Sequence, residues 1–254
     1  MFLFQPPPST RYDLRFTLAG IPIRVHPLFW LLSILLGSSS GDLIQLLIWV
    51  LVIFVSILVH ELGHALAMRS YGRPSQIVLH AMGGLTIPEP VGWGNSWANV
   101  ALKPSQEILI SLAGPGAGFL LAALVMAAVA VVGGSILTTM LFGFLPLPAG
   151  ASIPIGGRAL NVLVVLLLWV NIFWGIINLM PVYPLDGGNV SRYLLLKADP
   201  WNGIRKSLWV SVIGGVLIAA AGFFVLGSIY MAILFGFLAF QSYQSLQGLA
   251  GSGR

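Results

Sequence analysis

Leu46 to His64 reads LLIWVLVIFVSILVHELGH, and this stretch decides what kind of chain it belongs to. Leu46 to Val59 carries no charge, and then His60, Glu61 and His64 arrive together. A run so apolar predicts a membrane-spanning helix. An ionisable side chain at bilayer depth costs about 2.5–3.5 kcal/mol or more, so such residues mark function by default. On a helix, four residues turn through about 400°, which sets His60 and His64 on one face where both imidazoles can share a metal ion. Glu61 lies about 100° round from His60, near enough to take a proton from water at the metal without being a ligand. The pattern predicts hydrolysis at a zinc ion inside a membrane. The plainer alternative is a packed polar patch on a helix.

Composition agrees with a membrane location. The 254 residues are 57% hydrophobic and 7% charged, with mean hydropathy +0.95; a soluble domain carries roughly 25% charged residues. Cysteine is absent, which excludes disulfides, thiolate catalysis and cysteine-held metals, so a metal here must take His, Asp or Glu. The net charge of +5 marks cytoplasmic loops of a membrane protein and not a nucleic-acid surface. The start, MFLFQPPPSTRYDLRF, holds three consecutive prolines and Asp13 and does not read as a cleaved signal peptide. With no organelle-type presequence, the expected host is a prokaryotic cytoplasmic membrane. No repeat, low-complexity tail or appended soluble domain is seen, so residues 1–254 are expected to form a single transmembrane domain.

The expected fold class is an all-α polytopic membrane protein with six spans, near 24–41, 43–69, 106–133, 159–181, 207–223 and 226–245. The first is short enough to be partly interfacial. Gly222 to Gly227 is expected to turn the chain between the last two. Of the Lys and Arg residues, eleven then fall on one side and only Arg158 on the other, which places both termini in the cytoplasm. Residues 70–105, with Gly83, Gly84, Trp93 and Trp97, predict a short re-entrant or β-hairpin-like membrane loop with strands near Gln76–Leu79 and Leu85–Ile87. Residues 134–158 read as an apolar outer loop.

A catalytic zinc keeps three protein ligands and one open position. The third ligand is expected in NLMPVYPLDGG, Asn178 to Gly188, at the end of the fourth span. Spans two and four run the same way, so Asp186 and the His60–His64 pair reach similar depth on the cytoplasmic side. Pro181 and Pro184 break the helix there, and broken backbone at that depth is tolerated only inside protein or beside a water-filled cavity. Taken alone, Asp186 is equally well read as a cap for the helix from Gly187 onward.

HELGH on a membrane helix, followed about 115 residues later by N-x-x-P-x-x-P-L-D-G-G, resembles the site-2 protease family of intramembrane zinc metalloproteases, in a compact form without PDZ or nucleotide-sensing domain. The resemblance runs from Gly20 to about Lys206. It implies one zinc ion on His60, His64 and Asp186, with Glu61 as general base and Asn178 holding substrate or the oxyanion. It implies an endopeptidase that cleaves transmembrane segments of membrane-anchored proteins in a lipid bilayer, with the active site toward the cytoplasm. Gly83-Gly84-Leu85-Thr86 resembles the family's glycine-containing membrane loop, which would offer a strand edge to an unwound substrate with Gly84 helping to position it; an ordinary turn is the alternative. Ala113-Gly114-Pro115-Gly116-Ala117-Gly118 resembles another family stretch that usually ends in Asn, and small residues there permit close helix packing. His26 is expected to hydrogen-bond structurally, and His80 to be an ordinary interfacial histidine. Arg205-Lys206 reads as an anchor for anionic lipid heads. A homo-oligomer or a regulatory membrane partner is compatible with the chain. The competing functions are a catalytically silent scaffold or chaperone, and a metal transporter.

Overall fold

The structure is a computed structural model, and it describes residues 6–38, 41–89, 102–141 and 145–251. It is mostly helical, with two small sheets, and its residues group into two compact units. One unit comprises residues 2–100 and 113–176, and the other 101–112 and 177–254. Trp93 and Trp97 lie outside the described residues.

Helix α2 (Leu43–Ser70) organises the first unit. Asp42 caps it by accepting from the Ile44 amide at 2.9 Å. Around it fold strands β1 (Leu14–Leu18) and β2 (Ile21–Val25), the short helix α1 (Pro27–Gly37), and strands β3 (Ser75–His80) and β4 (Gly83–Pro88). The four strands make one sheet in chain order, antiparallel between β1 and β2, parallel between β2 and β3, and antiparallel again between β3 and β4. Ala19 and Gly20 both take positive φ (51° and 75°), the two-residue turn whose twist suits a hairpin. Burial alternates along β2, so Ile21, Ile23 and Val25 enter a core with Phe29, Ile57, Leu58, Ala65, Ile77 and Leu79. The β3–β4 hairpin covers both short strands expected between the second and third spans.

The expected first span is realised differently. α1 has 11 residues, about 16 Å of helix, and by length does not cross a bilayer core of about 30 Å. His26 caps it through Nδ1, which accepts from the Leu28 amide at 3.2 Å, and Pro27 opens its first turn. The α1 end lies against the start of α2: Trp49 Nε1 donates to the Ser33 carbonyl at 3.0 Å, and a Cβ on Gly37 would overlap Trp49 and Leu46. His80 is buried, and its Nδ1 accepts from the Met82 amide at 3.4 Å.

Among the described residues, five helices are long and apolar enough to cross a membrane: α2, α3 (Pro104–Val131), α4 (Gly157–Asn178), α6 (Gly203–Phe224) and α7 (Ile229–Gly251). The chain is therefore an integral membrane protein. Residues 134–158 are not a plain loop. Strands β5 (Ser135–Leu141) and β6 (Leu145–Ser152) pair antiparallel, with the register shifting at Leu137/Thr138. Pro146 and Pro148 hide this strand from a propensity reading, because proline is depleted in strands.

In the second unit, α6 and α7 form an antiparallel pair joined through Gly227, whose φ is +61°, inside the turn expected from the sequence. The small residues Gly215 and Ala239 meet between them. A seventh helix, α5 (Asp186–Ala198), packs on α6. At its far end Asp199 holds Lys206 at 2.8 Å and accepts from the Asn202 amide, and these bonds hold its carboxyl at about 2, well below the ordinary 3.8.

Candidate active site

α2 carries His60, Glu61 and His64 on its buried side, each less than 9% exposed. The two imidazoles meet edge to face, with Nε2 3.2 Å from Nε2. Two nitrogens on one tetrahedral zinc, each at 2.0–2.1 Å, stand about 3.3 Å apart. The pair is therefore spaced as ligands of one such ion, and its donor chemistry suits zinc.

The neighbours pack closely around this pair. A Cβ on Gly114 of α3 would overlap the His64 imidazole around Nε2, and a Cβ on Gly63 would strike the Ala113 carbonyl. The small-residue stretch of α3 thus allows close packing, as expected, and Gly114 in particular gives the His64 ring its space. The departure at Gly118 also finds an explanation. Asn171 of α4 places Oδ1 3.4 Å from where a Gly118 Cβ would stand. Its Nδ2 donates to Ser56 Oγ at 2.9 Å, one turn before His60. A polar amide thus reaches this place from another helix.

Glu61 is held by strand β4. Thr86 Oγ1 lies 2.6 Å from Glu61 Oε2 and 3.1 Å from the Glu61 carbonyl oxygen. Gly84, two residues earlier on the same strand face, admits the Glu61 side chain where any Cβ would overlap it. Gly84 is thus brought beside Glu61, a contact distinct from the substrate-positioning role expected of it. Thr86 and Gly114 were missed as individual residues. Period-two alternation from Gly84 offered the signal for Thr86; nothing local marks Gly114 among its small neighbours.

Asp186 and Asn178 lie in the other unit. Asn178 ends α4 and is buried. The chain then breaks at the proline-containing segment, and Asp186 is the first residue of α5, where the helix dipole favours a carboxylate. A Cβ on Gly187 would overlap the Leu179 carbonyl, and one on Gly188 the Tyr183 main chain. The two glycines let the α5 start tuck against the returning segment, which fixes where Asp186 stands relative to its own loop.

Residues 48–220 match peptidase family M50. A zinc metalloprotease of Methanocaldococcus jannaschii is 28% identical over 191 residues, covering 73% of this chain and 46% of that protein. Stage IV sporulation protein FB of Bacillus subtilis is 30% identical over 224 residues, covering 86% of this chain and 64% of that protein. The chain spans about half the length of the first of these relatives. The solved site-2 protease from Methanocaldococcus jannaschii shares the fold at a TM-score of 0.54 with 22% identity, covering 92% of this chain and 95% of that one.

Proposed function

Because this chain belongs to peptidase family M50, we propose that it is an intramembrane zinc metalloprotease, hydrolysing peptide bonds within or near transmembrane segments of membrane-anchored proteins. The observation that carries the reading is the pair of imidazole nitrogens 3.2 Å apart beside buried Glu61, on a helix that can span a bilayer.

His60, His64 and Asp186 hold one zinc ion in this reading. Their support is donor chemistry, two imidazoles and a carboxylate being a ligand set that suits zinc. In this reading residues 1–254 act as one protease domain. When bound, zinc supplies Lewis acidity at the scissile carbonyl and acidifies water. Glu61 takes the proton from the attacking water and passes it to the leaving nitrogen as the C–N bond breaks. The Asn178 side-chain amide donates to the carbonyl oxygen as negative charge builds there.

Substrate binds as an extended strand along β4, which has a single strand neighbour among the described residues. A transmembrane helix must unwind to do so. Replacing a Gly or Pro near the scissile bond with Leu is therefore expected to slow cleavage. Equal rates for stiffened and unstiffened substrates would remove unwinding from the reading.

Six crossings remain our reading of the topology. The first is composite: β2 and α1 together extend about 33 Å. They run beside α2 from Ala65, near its end, to Leu46, near its start. With this crossing counted, the positive residues place both termini and the active site toward the cytoplasm of a prokaryotic membrane.

The test is purified wild type against Asp186→Ala on a single-span substrate, with zinc quantified. Wild type should cleave and hold one zinc per chain, and Asp186→Ala should lose both properties. Full zinc in Asp186→Ala would remove Asp186 from the ligand set. Failure of zinc-loaded wild type on a panel of single-span substrates would count against the protease.

A further inference from the structure

We propose that Thr86 is a positioning residue with two roles: its side chain holds Glu61, and its main chain receives the substrate strand. One residue then sets both the register of the bound peptide and the place of the base. The inference rests on the protease reading above and deepens it.

The argument starts from the hairpin register. His80 pairs with Gly83 across the two-residue turn Ala81-Met82, and the pairing runs out to Ser75 and Pro88. One step beyond, the Glu89 amide donates to the Pro74 carbonyl at 3.0 Å. Hydrogen-bonded pairs alternate along an antiparallel ladder. Counting inward from that bond, residues 87, 85 and 83 direct their amide and carbonyl groups to β3, while 84 and 86 direct theirs to the open edge. Pro88 has no amide to offer. An added strand therefore bonds to the main chain of Gly84 and Thr86.

The strand face shared by these same two positions meets Glu61. Gly84 leaves space for it, and Thr86 Oγ1 stands 2.6 Å from Oε2 with a second contact, at 3.1 Å, to the Glu61 carbonyl oxygen. A hydroxyl has a single proton to donate, and the shorter contact to the carboxylate takes it. The β-branched side chain has few rotamers, so a strand paired at Thr86 cannot shift without disturbing the hydroxyl that holds the base. Serine keeps the hydroxyl; valine keeps the shape and loses it.

The experiment measures kcat and KM of Thr86→Val and Thr86→Ser on one single-span substrate, with zinc content, melting temperature and Glu61→Gln alongside. A misplacement of about 1 Å in a reacting group costs on the order of 10²-fold in rate. Thr86→Val is thus expected to lose about 10- to 100-fold in kcat with KM nearly unchanged, because the main chain still pairs. Zinc and melting temperature should match wild type, and Thr86→Ser should recover most of the lost kcat. If Thr86→Val loses zinc or melts lower, Thr86→Ala replaces it as the variant read. Wild-type kcat in zinc-loaded Thr86→Val, or in Thr86→Ala where that replaces it, with Glu61→Gln inactive, overturns the role of Thr86 and leaves the protease reading standing. Wild-type activity in Glu61→Gln removes Glu61 from the chemistry and overturns the role of Thr86 with it, whereas no cleavage by zinc-loaded wild type overturns the protease reading itself. A parallel rise in KM, or a Thr86→Ser no better than Thr86→Val, would reduce Thr86 to a structural residue.

Discussion

Glu61→Gln is expected to stay folded and load zinc at the wild-type level while peptide hydrolysis falls by about 10²–10⁴-fold. The expectation follows from what the carboxylate touches. It is buried, and among the described residues its Oε2 accepts from Thr86 Oγ1, a donor that a glutamine carbonyl oxygen can also satisfy. The side-chain volume is nearly unchanged, so Gly84 need not move. What glutamine lacks is a site that accepts a proton from water and releases it to the leaving nitrogen. A loss of this size corresponds to about 3–5.5 kcal/mol in the barrier. The measurement is cleavage of a single-span substrate with metal content read on the same sample. Loss of zinc with loss of activity would make Glu61 a ligand or a structural residue. Retained activity would remove it from the chemistry.

Gly114→Ala should lower zinc affinity by at least about 10–100-fold, the range seen when residues supporting a ligand are altered. The added methyl would overlap the His64 imidazole, whereas on Gly116, two residues along the stretch Gly114-Pro115-Gly116, it meets nothing within 4 Å. Gly116→Ala is thus an internal control: same helix, same chemical change, no contact. Metal retention after dialysis against a graded chelator series, with melting temperature in parallel, separates the two. Equal zinc retention by the two variants would mean that Gly114 does not set the place of His64. A lower melting temperature for both would trace the effect to α3 itself and not to the metal-binding ring.

These two predictions differ in how early they were visible. Glu61 is legible in HELGH alone, because helical geometry fixes its angle to His60 and His64 whatever surrounds the helix. Gly114 is not, because its meaning lies in a contact across helices between positions fifty residues apart, and small residues that pack helices look alike in sequence. The same holds for Thr86 and for Asn171, whose amide reaches Ser56 from another helix. The strands β1, β2, β5 and β6 were also hidden. Their short apolar runs read equally well as parts of spans or loops, and prolines at 146 and 148 argue against a strand. The first span shows the limit most plainly, since hydropathy measures length in residues and not in ångströms. Eleven helical residues are too short, yet five extended ones nearly double their reach.

The sequence by itself determined the membrane class, the helix that sets His60, Glu61 and His64 together, and the break that follows Asn178. Each of these depends on local periodicity or on the cost of charge in lipid. Only the tertiary structure decided which glycine makes room for His64, which hydroxyl holds Glu61, and that strand β4 carries that hydroxyl, because these depend on distances between segments that the chain brings together only by folding.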